Sequence, residues 1–168
     1  MSDNEKKPIS IDPAKFFNEA EYNTLKIGGE DGGKKETDPV KQLLAILNSK
    51  TIGEKDKALD LLKKEKAITF LIDAIKDAKN PRNKALLIAA CWESGMDVSA
   101  CLDLFAELAH DEDLFVSMEA ITVISENIGE IKAAHAQQLI NVLNKASEDH
   151  FNATLILDLV EKLKEVQD

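Results

Sequence analysis

The residues of this chain with the richest chemistry are three histidines, two cysteines and an acidic turn. A zinc site would need His, Cys and carboxylate ligands at tight spacing. His110, His135 and His150 are followed instead by Asp111, Ala136 and Phe151, so they read as turn or solvent-facing residues. The turn His110-Asp111-Glu112-Asp113 has the oxygens to suggest calcium. It lacks the alternating ligands, the turn glycine and the terminal Glu of an EF-hand. Helix capping accounts for it, because acids at a helix start complement the dipole. Cys91 sits in mid-helix beside Trp92, away from a helix N-terminus that would stabilise a thiolate, and no G-x-S-x-G elbow occurs.

Gly28-Gly29-Glu30-Asp31-Gly32-Gly33-Lys34-Lys35 approaches the phosphate loop G-x-x-x-x-G-K-[ST]. Lys35 replaces the magnesium hydroxyl, two acids occupy the phosphate cradle, and Asp38-Pro39 interrupts the chain before a helix can begin. The match is rejected. The sequence therefore predicts no catalytic residue, no cofactor and no metal, and a protein that is not an enzyme.

Composition narrows the class further. The chain has 168 residues, 44% of them hydrophobic and only 5% aromatic, which favours packed helices over a β-sandwich. Net charge is −10 and Arg82 is the only arginine, so nucleic-acid binding is not expected, since phosphate contacts need clustered Lys and Arg. Residues 38–96 carry 11 Lys+Arg against 8 Asp+Glu, whereas residues 97–168 carry 4 against 15. A partner of the C-terminal half is expected to be basic rather than acidic. Cys91 and Cys101 fall in apolar helical stretches and read as free thiols in a reducing compartment. The N-terminus has no signal-peptide core, and no run reaches the 18 or so apolar residues of a membrane span. The expected location is cytoplasmic, with no membrane partner.

The elements that would position any site begin near residue 38. Residues 1–37 read as a flexible N-terminal arm and Gly-rich linker; within them 13–25 could form a short helix bearing Phe16, Phe17 and Tyr22, side chains suited to docking on the folded part. Helices are expected over about 38–49, 54–65, 66–78, 81–94, 98–109, 113–128, 132–146 and 149–166. The sixth, after the acidic turn, should close on Gly129.

Paired, these helices repeat. The first members align as VKQLLAIL, ITFLIDAI, CLDLFAEL and AQQLINVL, and the second members register on Ala58, Ala85, Ala120 and Ala153. A small residue there permits close helix approach, and apolar residues three, four and seven positions later fill the layer. Trp92 lies on this stripe and should pack between repeats.

The polar turn, register alanine, apolar seventh position and terminal glycine in KNPRNKALLIAACWESG and HDEDLFVSMEAITVISENIGE resemble the HEAT-repeat family and its armadillo-like relatives. The resemblance covers about 38–168 and implies an all-α fold, a short right-handed α-α superhelix of four HEAT-like helical hairpins. The first pair departs most, with Glu65 where the second has Trp92, as suits a capping repeat. Iron-binding enzymes of this kind carry repeated His-Glu dipeptides, and its DNA glycosylases need a basic groove; this chain has neither.

In such solenoids the second helices line a concave face that holds partners. Two and five positions after the register alanines stand Asp60 and Lys63, Leu87 and Ala90, Thr122 and Ser125, and Leu155 and Asp158. That stripe is the expected binding surface, with Leu87 and Ala90 as its apolar centre. The expected function is a non-catalytic adaptor or scaffold for a protein or peptide, monomeric or weakly self-associating. The alternatives are a structural protein joining through its ends, where Leu155 and Leu159 would be exposed, and a HEAT-like lyase or modifying enzyme.

Overall fold

The computed structural model describes residues 38–50, 52–64, 66–145 and 150–166. The arm residues Phe16, Phe17 and Tyr22, the glycine-rich stretch and Glu65 lie outside this range. Among the described residues the chain is all-α, with α1 Pro39–Leu47, α2 Ile52–Lys64, α3 Ile68–Asp77, α4 Pro81–Glu93, α5 Leu102–Leu108, α6 Leu114–Glu126, α7 Ala133–Leu143 and α8 Ala153–Glu165. Short 3-10 turns at Ser99–Cys101 and Ile128–Glu130 precede α5 and follow α6. No helix among the described residues is long and apolar enough to cross a membrane.

The helix starts follow from local chemistry. Asp38 Oδ1 accepts the Val40 N–H at 3.0 Å, and Asn80 Oδ1 accepts the Asn83 N–H at 3.1 Å. Each is followed by a proline whose missing N–H costs a first turn nothing. Asp113 Oδ1 caps α6 by accepting from Phe115 at 3.0 Å and Val116 at 3.1 Å. The acidic turn is thus a cap, as its composition implied. The stops differ. Gly95 ends the α4 segment with φ of 62°, a conformation that favours glycine. Gly129 does not close α6. The helix ends at Glu126, Asn127 Nδ2 donates to the Val123 carbonyl at 2.8 Å, and Gly129 lies within the following 3-10 turn.

Chain neighbours α1 and α2, α3 and α4, α5 and α6, and α7 and α8 pack against each other. Beyond these pairs, α4 packs on α6, α6 on α8, and α5 on α7. Cross-links show the direction. Asp103–His135 and His110–Val142 both join residues 32 apart, so α5 and α7 run side by side the same way. The first pair departs from this pattern: α1 packs on α4, while Lys55 of α2 reaches the end of α4 through a 2.8 Å ion pair with Glu93.

The register alanines face inward. Ala58, Ala85 and Ala120 are buried and Ala153 is half-buried. Around them lie Phe105, Leu71, Ile88, Ile124, Leu139 and Ile156, all closed to water, each contributing about 1.5–3 kcal/mol of transfer free energy if fully exposed on unfolding. Trp92 is half-buried against this core, and its Nε1–H donates to Glu119 Oε2 at 2.8 Å. The indole therefore packs with one edge and tethers α4 to α6 with the other.

Candidate interaction surface on the sixth and eighth helices

Helices α4 and α6 each pack against several other helices and bury more than one face. On α4, Leu87 and Ala90 are fully buried, as are Ile88 and Cys91. This corrects the expectation that Leu87 and Ala90 form the apolar centre of a partner groove. With α3 and α1 packed on one part of α4 and α6 on another, the positions opposite the register alanine are covered by the chain itself.

The other expected contact residues remain accessible. Asp60, Lys63, Leu155 and Asp158 are exposed, and Thr122 and Ser125 are half-exposed. Lys63 leans over the end of α4, its Nζ lying 3.3 Å from where a Cβ on Gly95 would stand. The stripe is therefore broken at α4 and continuous only over α6 and α8.

That accessible part is more apolar than the stripe residues alone. The large apolar side chains left exposed among the described residues are Leu114, Phe115, Met118, Phe151, Leu155 and Leu157. Every one belongs to α6, to α8 or to the turn before α8. Met118 and Phe151 stand two positions before Ala120 and Ala153, so they extend the Thr122 and Leu155 positions by one turn. They also flank a buried cross-link, in which Asn152 Nδ2 donates to Ser117 Oγ at 2.8 Å and Ser117 Oγ donates to the Ala109 carbonyl at 2.6 Å. That network holds the start of α8 against α6 and brings the two apolar turns together.

Leu157 has a different position. It corresponds to the buried Ile124 of α6, which has α8 beside it, whereas Leu157 is 60% exposed on the last described helix. Leu159, expected at an exposed end, is buried at 1%. The helical period places Leu159 inward with Ile156, Val160 and Leu163, and leaves Leu157 outward.

The histidines work as fasteners. A carbonyl oxygen can only accept, so Nε2 of His110 donates to Val142 at 3.1 Å and Nε2 of His150 to Asp111 at 3.3 Å. His150 Nδ1 accepts the Asn152 N–H at 3.2 Å, and the His150 ring lies 4.2 Å from that of Phe151. His135 pairs with Asp103 at 3.2 Å. Each ties residues of the third hairpin to the fourth. Sequence spacing held no signal for this, because the partners are mostly backbone carbonyls more than 30 residues away.

Among the described residues no three His, Cys, Asp or Glu side chains converge in a way that could hold a metal ion. Both cysteines are free. Burial, with a smaller contribution from Cys101, pushes the Cys91 thiol up to about 12 from 9.0. Burial also raises Cys101, offset in part by the nearby Lys76 cation. Between these values the folded chain keeps a Cys91 proton that the unfolded chain has lost. Unfolding free energy should therefore fall by about 1.4 kcal/mol per pH unit as pH rises above about 9. Urea titrations from pH 8 to 10.5 should show this slope, shallower by about that amount in Cys91→Ala.

Around the apolar turns the charge is negative, with Asp111, Glu112 and Asp113 at the head of α6, Glu119 within it and Asp158 on α8. This is an apolar strip with an acidic border. No family model, curated protein or solved structure matches the chain.

Proposed function

We propose that this protein is a non-catalytic adaptor that binds a protein or peptide segment across α6 and α8. One observation carries the reading: the exposed large apolar side chains of the described residues are confined to these two helices and the turn between the last pair. Isolated surface leucines need no explanation, but large apolar side chains concentrated on two packed helices beside acidic residues suit a binding surface. Met118, Phe151 and Leu155 would be the central contacts, with Leu114, Phe115, Thr122, Ser125 and Asp158 around them. The acidic border selects a partner segment carrying apolar residues flanked by Lys or Arg. The paired helices, the inward register alanines and the side-by-side packing of alternate helices support a HEAT-like stack as the scaffold.

Peptides selected against the full chain from a displayed random library test this. They should combine apolar and basic residues, and their affinity should fall at least tenfold on Met118→Asp with Leu155→Asp. Both positions are exposed, so the melting temperature should change little. Selected peptides that bind the double variant as well as the parent would remove the site.

Leu157 favours a second reading, self-association through the face of the last described helix. Sedimentation of the parent and of Leu157→Asp separates the two readings, since only self-association predicts a concentration-dependent mass that the substitution abolishes.

A further inference from the structure

At the opposite end of the described chain, α1, α3 and α4 leave an open cavity of about 450 Å³ between them. Val40 and Leu44 of α1 and Phe70 of α3 line it, all half-buried, with the sealed Leu87 beneath. Asp38, Asp73 and Asp77 stand at the same opening. Asp73 and Asp77 are exposed, and neither has an ion-pair partner among the described residues. The cavity is within the size range of sites that take one or two large side chains.

We infer that this groove seats the chain's own N-terminal arm, with Phe16, Phe17 or Tyr22 in the apolar cavity and lysines of the arm against Asp73 and Asp77. Three observations select this occupant. The first is attachment. Asp38, which lines the groove, follows the arm directly in sequence and stands only 16 residues after Tyr22, a length for which a coil would span about 20 Å. Tethering at that length gives the arm a millimolar effective concentration at the groove, against which a free partner must compete. The second is composition. The arm holds three of the chain's eight aromatic residues, Phe16, Phe17 and Tyr22, together with Leu25, side chains large enough for one or two of them to fill such a cavity. The third is charge. The arm as a whole carries 6 Lys against 8 Asp+Glu, but Lys15 adjoins Phe16 and Lys26 adjoins Leu25, so a cation stands beside the apolar side chains to meet the aspartates of the opening.

The seat is independent of the adaptor reading, because it uses different helices and a different ligand. Methyl NMR of the full chain tests it, comparing the parent with Phe16→Ser plus Phe17→Ser; both substitutions lie outside the described helices. The methyl signals of Val40, Leu44, Ala74 and Ala78 should shift between the two proteins and should not depend on protein concentration. Raising salt from about 0.05 to 0.5 M should move the parent's signals towards those of the variant, as screening weakens the lysine contacts. Groove signals that are identical in parent and variant overturn the proposal. Shifts that grow with protein concentration overturn it too, assigning the groove to a second copy.

Discussion

Leu87→Asp should destabilise the protein by more than about 4 kcal/mol, a loss made of two parts. The leucine is fully buried, so its transfer free energy of about 1.5–3 kcal/mol is forfeited. A carboxylate then replaces it in a site closed to water, where an unpaired charge costs several kcal/mol more. The surroundings make this worse, since Asp73 and Asp77 line the cavity above the same position and like charges disfavour ionisation. Total stability for a domain is about 5–15 kcal/mol, and each kcal/mol is worth about 2–4 °C at this size. Thermal melts should therefore show a drop of at least about 10 °C or no cooperative transition. Leu155→Asp is the matched control. At 42% exposure its aspartate stays hydrated, and the expected change is below about 1 kcal/mol. Equal losses at the two positions would mean that Leu87 is not sealed by α1 and α3.

The second large effect is expected at Ser117. Its hydroxyl donates to the Ala109 carbonyl and accepts from Asn152, and both Ser117 and Asn152 are buried. Valine puts a methyl in place of the hydroxyl, adds a second one that the buried site must accommodate, and has neither capacity. Ser117→Val therefore leaves a buried carbonyl and a buried amide without partners, at about 1–3 kcal/mol each before relaxation. A loss of about 2–4 kcal/mol in urea unfolding is the expected outcome. Asn152→Ala should cost less, because Ser117 keeps its bond to Ala109. Hydrogen exchange at the start of α8 should quicken in both variants, because this network holds α8 to α6. A neutral Ser117→Val would show that packing of Ile156 and Val160 alone secures the last helix.

The eight described helices were legible because their signals are local. Asp38-Pro39, Asn80-Pro81 and Asp113 supply caps from within a few residues of the helix they start. A 3.6-residue apolar period needs only the helix itself. The expected boundary at Gly129 fails for the same reason in reverse, since a glycine signals a stop only when the chain turns left-handed there, as it does at Gly95.

The candidate site was legible only in part. Thr122, Ser125, Leu155 and Asp158 remain accessible in the expected stripe, but Met118 and Phe151 lie one turn beyond it, and nothing in the repeat pattern marks Leu114 and Phe115 as exposed. An apolar residue at such a position looks the same in sequence whether it will be covered or left in water.

The sequence by itself determined the helices, the inward placement of Ala58, Ala85 and Ala120, and the acidity of the C-terminal half. Only the tertiary structure decided that Leu87 and Ala90 are sealed while Met118, Phe151 and Leu155 are open. Periodicity tells which residues share a face, but a face is buried by helices distant in the chain. Here α1 folds back onto α4, and nothing local to α4 records it.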